Sequence, residues 1–203
     1  KQLRDEGIEY HYYRGVTKEP DIDIIEKGVN IGKKYNCNGV IAVGGGSVID
    51  TGKAIAGLIT NEGHILDYLE GVGEGRSLLN DGAPFIAIPT TAGTGAEVTK
   101  NAVISSETMH FKKSFRSEKL LARLAIVDPL LTLSLPPYQT AISGMDALTQ
   151  LIESYISKKS NRVTDMIAKE GIRLAGGALK KAYDDGANIE AREDMALASL
   201  LSG

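Results

Sequence analysis

The chain has 203 residues, a length that suits one large domain or two closely packed smaller ones. Hydrophobic residues make up 42% and charged residues 24% of it, which excludes an intrinsically disordered, collagen-like or coiled-coil protein. The formal net charge of -3 argues against a nucleic-acid partner, and no apolar run approaches the roughly 18 residues that a membrane-spanning helix needs.

The first predicted elements are a strand at residues 10–16 and a helix at residues 21–36. Ile22, Ile25 and Val29 follow an i, i+3, i+7 spacing, which places them on one face of a helix. A proline and an aspartate at the start of this segment are typical helix start signals. We therefore expect an amphipathic helix that packs against a core.

Cys37, the single cysteine, lies between that helix and the next strand. A nucleophilic thiolate needs a neighbouring basic group, and no histidine lies close to Cys37 in the sequence. The sequence therefore favours a packing residue over a catalytic thiol. Because one cysteine cannot form an internal disulfide, we expect a reducing compartment, the cytoplasm.

A continuous apolar run at residues 39–43 predicts a parallel strand that is buried on both faces. Three glycines and a serine follow at residues 44–47, and residues 48–59 have helical periodicity. Glycine lets backbone N–H groups approach a pyrophosphate, and the helix N-terminus adds donors and a positive partial charge. The segment matches neither the dinucleotide fingerprint nor the Walker A loop, so a tight turn that binds nothing is the alternative. Asp50 lies where it could reach a ligand.

A second glycine-rich loop, residues 89–99, follows a predicted buried strand at residues 85–88. It contains four threonines and two glycines among eleven residues. Ligands of open α/β sheets bind outside the carboxyl ends of the strands, where such small polar residues suit a ribose or phosphate. A third strand is predicted at residues 124–127, so the pattern indicates a parallel α/β sheet.

The pattern changes after the proline pair at residues 136–137, and helical periodicity replaces strands. We predict an α/β nucleotide-binding domain at residues 1–135 and the start of an all-helical domain at residues 136–203. The expected helices are residues 139–157, 162–183 and 189–201.

Four segments in this order resemble the iron-containing alcohol dehydrogenase family of the dehydroquinate synthase-like superfamily. They are GGGSVIDTGKAIA at residues 44–56, PTTAGTGAEVTKNAVI at 89–104, LAIVDPLLTLSLPP at 124–137 and GMDALTQLIESY at 144–155. The resemblance implies a Rossmann-like parallel-sheet domain followed by an all-helical domain. It further implies an oxidoreductase that transfers hydride between NAD or NADP and a small alcohol or aldehyde. A divalent metal, iron or zinc, would polarise the substrate oxygen.

Carried over position by position, the resemblance implies a cofactor site. Asp50 would lie toward the nicotinamide, and Lys112 would approach the cofactor ribose. The other implied residues are Gly45, Gly46 and Ser47 at the pyrophosphate, Thr90, Thr91 and Thr99 along the groove, and Asn101 and Val103 near the nicotinamide.

Asp146 and Gln150 lie four residues apart on one predicted helix face, and the resemblance makes them metal ligands, with Asp146 catalytic. The family usually has histidine at the second position and two further histidines later. A glutamine carbonyl is a weak ligand for iron, and His11, His64 and His110 all precede the helical region. We therefore expect iron or zinc in the intact enzyme and no complete metal centre in this chain.

Members of the resembled family are almost twice this long. We therefore expect an internal piece, truncated at both ends and inactive alone, of an enzyme that is homo-oligomeric at full length. One alternative is a non-catalytic dinucleotide-binding module that has lost its metal. Another is a zinc-dependent superfamily member acting on a polyol or cyclic phosphate.

Overall fold

The computed structural model describes residues 2–203, which divide into two compact units. Each unit is assembled from three separate segments of the chain. The first contains the described residues up to Ile41, Asp50–Ile86 and Lys100–Arg123, and the second contains Ala42–Ile49, Ala87–Thr99 and Leu124–Gly203.

Helices predominate among the described residues. The helices are α1 (Gln2–Asp5), α2 (Ile22–Lys34), α3 (Gly46–Leu58), α4 (Ile65–Tyr68), α5 (Pro137–Ile156), α6 (Arg162–Asp184) and α7 (Ile189–Ser202). The strands are β1 (Val40–Gly44), β2 (Phe85–Pro89), β3 (Asn101–Ser106), β4 (Phe111–Arg116) and β5 (Leu124–Ala125). No helix among these residues is both long and apolar enough to cross a membrane.

Strands β1, β2 and β5 form a three-stranded sheet in the order β1-β2-β5. The Val40 N–H donates to Pro84 O, and the Thr90 N–H donates to Gly44 O, each at 2.9 Å. Because the residue numbers of the paired positions increase in the same direction along both strands, β1 and β2 run parallel, as the sequence predicted. Strands β3 and β4 form a separate antiparallel hairpin in which Ser105 faces Lys112.

Two strand predictions are wrong. Residues 10–16 form no strand, because their backbone groups do not pair with a neighbouring strand among the described residues. Tyr13 in this segment instead donates a hydrogen bond from its hydroxyl to Ile24 O at 2.6 Å. Strand β1 is not buried on both faces: Ile41 and Val43 are 46% and 57% exposed, while Ala42 between them is buried. One face of β1 is therefore uncovered among the residues described.

Helix α2 packs the core of the first unit, as its periodicity predicted. It begins after Asp21, whose side chain accepts a hydrogen bond from the Ile24 N–H at 2.8 Å and so satisfies a donor of the first turn. Ile25 and Val29 are buried against Ala54 and Leu58.

Helices α5, α6 and α7 pack together in the second unit, which confirms the three helix predictions. Their core is built mainly from alanine and leucine, and the small volume of alanine lets helix backbones approach closely. Buried Arg192 of α7 donates to Thr140 Oγ1 at 2.9 Å and to Gly186 O at 3.0 Å, which joins the α6–α7 turn to the start of α5. A domain boundary at residue 135 stays a prediction.

Candidate cofactor and metal sites

A glycine turn joins β1 to α3 in the second unit and packs against two threonines. A Cβ atom added to Gly45 would lie 3.2 Å from Thr91 Cγ2, and one added to Gly46 would lie 3.1 Å from Thr94 Oγ1. Both distances are tighter than ordinary van der Waals contacts, so side chains at these positions would displace the threonines. We call Gly45, Gly46, Thr91 and Thr94 the glycine–threonine cluster. Its bare backbone at the start of a 13-residue helix suits a pyrophosphate.

The threonine-containing loop is anchored to the helices of the second unit. The Gly93 N–H donates to Ser199 Oγ at 2.8 Å, and Ser202 Oγ donates to Gly93 O at 3.3 Å. Gly95 has φ +61°, a left-handed conformation that favours glycine, and an added Cβ would lie 2.5 Å from Ser199 O. The loop therefore has a fixed shape set by α7.

The remaining predicted residues of these two loops lie close by along the chain. Ser47 is the second residue of α3 and is half-buried. Thr90 directly follows β2, and its N–H bonds to the last residue of β1. Thr99 follows the short 3-10 turn Ala96–Val98, and its hydroxyl donates to Ala96 O at 3.2 Å.

A second set of predicted residues comes together in the first unit. Asp50 Oδ2 accepts a hydrogen bond from the Val103 N–H at 3.0 Å, while Asp50 Oδ1 lies 3.2 Å from Lys53 Nζ. Lys53 Nζ also donates to Asn101 O at 2.6 Å. We call Asp50, Lys53, Asn101 and Val103 the Asp50 network. It joins α3 to the start of β3.

Burial raises the pKa of Asp50 above its ordinary value. The positive charge of Lys53 and the hydrogen bond from Val103 act in the opposite direction, and the negative charge of Glu19 raises the pKa further. The sequence analysis did not select Lys53 as a site residue. Its position one turn after Asp50 was the available signal.

Lys112 lies apart from the Asp50 network's hydrogen bonds. It is 61% exposed on β4, where its Nζ lies 2.6 Å from Glu19 Oε2. Such exposed ion pairs contribute little to stability. A role for Lys112 at the cofactor ribose stays a prediction.

Asp146 and Gln150 lie one turn apart on α5, Asp146 exposed and Gln150 half-buried. Their side chains offer one carboxylate and one amide oxygen. Zinc and iron sites normally need three or four protein ligands. Within residues 2–203, no cluster of three or more histidine, cysteine, aspartate or glutamate side chains could hold a metal ion. The residues present therefore do not by themselves fit an iron or zinc centre.

Two family profiles match the chain. The profile described as "Iron-containing alcohol dehydrogenase" matches residues 1–129, and that described as "Fe-containing alcohol dehydrogenase family, C-terminal" matches residues 140–203. The chain belongs to the iron-containing alcohol dehydrogenase family. This membership confirms the predicted resemblance and fold class, a Rossmann-like parallel sheet followed by helices.

Several relatives match nearly the whole chain. A choline dehydrogenase from Bacillus subtilis (strain 168) is 43% identical over 203 residues, which are 100% of this chain and 50% of the relative. A solved 1,3-propanediol oxidoreductase is 40% identical with a TM-score of 0.91, covering 99% of this chain and 52% of that one. A sulfoacetaldehyde reductase from Bifidobacterium kashiwanohense, solved in complex with NAD+, is 35% identical with a TM-score of 0.92. The match covers 99% of this chain and 53% of the reductase. The chain thus spans about half the length of these relatives.

Proposed function

We propose that the whole protein is an oxidoreductase that transfers hydride between a nicotinamide cofactor and a small alcohol or aldehyde. The observation that carries this proposal is the glycine–threonine cluster, where a side chain added at Gly45 or Gly46 would press against the threonine loop. Relatives named choline dehydrogenase, 1,3-propanediol dehydrogenase and NAD-dependent methanol dehydrogenase support an alcohol or aldehyde substrate. The relatives that name NAD favour NAD over NADP as the cofactor.

The chain's own residues would bind and orient this cofactor. The bound nicotinamide supplies the hydride chemistry. Gly45 and Gly46 carry no side chains, which would let a pyrophosphate approach the backbone at the start of α3. Asp50, fixed by the Val103 N–H, presents a carboxylate that would accept a hydrogen bond from the nicotinamide carboxamide. The half-buried Thr90, Thr91 and Thr99 would offer hydroxyl groups along the cofactor.

Asp146 and Gln150 would supply two oxygen ligands to a divalent metal, iron or zinc. Because zinc and iron sites normally need three or four protein ligands, these two would not complete a centre without at least one further ligand.

A non-catalytic dinucleotide-binding module is the second candidate function. The neutral amide of Gln150 and the lack of a metal cluster within residues 2–203 favour it. The glycine–threonine cluster would serve this function equally well. Alcohol-dependent NAD reduction by the full-length protein, if it requires added divalent metal and Asp146, would favour the enzyme over the module.

A cytoplasmic location and a homo-oligomeric full-length protein belong to the same proposal. The free thiol of Cys37 is consistent with a reducing compartment. Exposed apolar side chains on α5 and α6, such as Ile156 and Met166, are consistent with burial against further protein. Sedimentation velocity of the full-length protein measures its oligomeric state.

Replacing Gly45 with valine tests the cofactor site. The added side chain would collide with Thr91 and occupy the space that a pyrophosphate needs, so we expect Gly45→Val to abolish NAD binding measured by calorimetry. Gly176→Val is the matched control, because a Cβ there meets nothing within 4 Å. Unchanged NAD binding by a folded Gly45→Val variant would place the pyrophosphate elsewhere and refute the proposal.

A further inference from the structure

Lys53 is the largest of the completely buried side chains among the described residues, with 0% of its surface exposed. Lysine is almost never fully buried unless its charge is compensated, because removing an ammonium group from water is energetically costly. A methionine would fill the same volume at no such cost. The charge of Lys53 therefore calls for an explanation beyond packing.

The contacts of Lys53 tie a carboxylate to a strand. Its Nζ lies 3.2 Å from Asp50 Oδ1 and donates to Asn101 O at 2.6 Å. The other oxygen of the same carboxylate, Asp50 Oδ2, accepts from the Val103 N–H at 3.0 Å. Lys53 thus holds one oxygen of the Asp50 carboxylate while β3 holds the other. These two contacts fix the plane of the carboxylate and its distance from β3.

We propose that Lys53 is a positioning residue of the cofactor site, holding the Asp50 carboxylate in one orientation so that it accepts a hydrogen bond from the nicotinamide carboxamide. The inference rests on the proposed function. Lys53 acts through Asp50 and does not contact the cofactor. Each carboxylate oxygen has two lone pairs, so Asp50 retains the capacity to accept a further hydrogen bond.

The charges around Asp50 show why a lysine is needed. Burial and the negative charge of Glu19 both favour the protonated acid, whereas Lys53 and the uncharged Val103 N–H favour the carboxylate. Glu19, which precedes α2, is itself paired with Lys112 of β4 at 2.6 Å. Removing the Lys53 charge would leave burial and Glu19 opposed only by the Val103 hydrogen bond. Asp50 would then hold its proton to higher pH.

Comparing two ligands of this chain tests the inference. NADH contains the nicotinamide, and ADP-ribose contains the pyrophosphate without it. For Lys53→Met, we expect NADH to bind about 10-fold or more weakly at pH 6, the size of one lost charge-assisted hydrogen bond, and to recover part of this affinity at pH 8. ADP-ribose affinity should stay within about 2-fold of the original, because it makes no use of Asp50.

Lys33→Met is the matched control. Lys33 also donates its Nζ to a backbone carbonyl, Asn61 O at 3.0 Å, but is exposed on α2. We expect the Lys33→Met variant to bind NADH and ADP-ribose with the same affinities as the unchanged chain at both pH values. Equal weakening of both ligands in Lys53→Met would show a purely structural role and overturn the inference. Unchanged NADH binding in that variant would also overturn it.

A double variant keeps the test decisive if Lys53→Met does not fold. Lys53→Met combined with Asp50→Asn leaves neither charge of the pair buried. If Lys53 acts only through the Asp50 charge, the double variant should bind NADH as Asp50→Asn alone does, with no dependence on pH between 6 and 8. A further loss relative to Asp50→Asn would overturn the inference. Failure of the unchanged chain to bind either ligand would instead refute the proposed function.

Discussion

Gly95 is the residue whose backbone most directly sets the shape of the threonine loop. Its φ of +61° costs an alanine roughly 1–2 kcal/mol, and the added Cβ would lie 2.5 Å from Ser199 O and 2.7 Å from Gly203 N. Both neighbours are backbone atoms and cannot turn aside. We predict that Gly95→Ala lowers the free energy of unfolding by about 2 kcal/mol or more in urea denaturation.

Gly176 provides the comparison for this substitution. It lies on the exposed side of α6, where an added Cβ meets nothing within 4 Å. Gly176→Ala should raise the free energy of unfolding by about 0.5–1 kcal/mol, because alanine favours the helix. Equal effects of the two substitutions would contradict the close contact between Gly95 and α7.

The sequence identified many of the residues that the structure brings together, though not the interactions between them. The helical periodicity of residues 48–59 placed Asp50 near the start of α3, but the contact of Asp50 with Val103 spans 53 positions of sequence. A single sequence carries no signal for such a pair. For Lys53 the sequence offered only its position one turn after Asp50, because its burial depends on β3, which its local sequence does not reveal.

Helix α2 depends on its N-cap, and Asp21 supplies it. The side chain of Asp21 accepts from the Ile24 N–H at 2.8 Å and also pairs with Lys18 Nζ at 2.7 Å. We predict that Asp21→Ala lowers the free energy of unfolding at pH 7 by about 1 kcal/mol, the usual value for loss of an N-cap. Asp21→Asn should lower the free energy of unfolding by less, because asparagine caps a helix equally well. Thermal or urea unfolding measures both variants.

The effect of Asp21 should depend on pH. Burial raises its pKa, but the hydrogen bonds from Lys18 and Ile24 outweigh burial, so the pKa of folded Asp21 lies below the ordinary value of 3.8. A lowered pKa in the folded state gives stability above about pH 4 that is lost as the pH falls through the folded pKa. The difference in free energy of unfolding between the original chain and Asp21→Ala should therefore shrink in that acidic range. A difference that grows on acidification would contradict the N-cap interaction.

Helices were easier to predict than strands in this chain. Helix α2 has its periodicity and start signal within its own sequence, and the predicted and observed bounds differ by one or two residues. A strand needs a hydrogen-bonded neighbour, which sequence alone does not reveal. Residues 10–16 were predicted as a strand, yet the Tyr13 hydroxyl donates a hydrogen bond to Ile24 O and the segment pairs with no strand among the described residues.

At the scale of the whole molecule, the cofactor and metal residues differ in how completely this chain supplies them. The residues of the glycine–threonine cluster contact one another within the second unit, and those of the Asp50 network contact one another within the first. Asp146 and Gln150 are two oxygen donors on one helix, and the described residues contain no cluster of three or more histidine, cysteine, aspartate or glutamate side chains that could hold a metal ion. The chain spans about half the length of the relatives it matches.

Metal addition tests this difference on the chain as a whole. A site of two oxygen ligands should have a Kd no tighter than about 1 mM, so 0.1 mM Zn²⁺ or Mn²⁺ should add less than about 0.1 kcal/mol to the free energy of unfolding. We predict that the Tm in either metal stays within about 1 °C of the Tm in EDTA. Asp146→Ala should behave identically. A rise of several degrees that Asp146→Ala abolishes would show instead that this chain completes a metal site on its own.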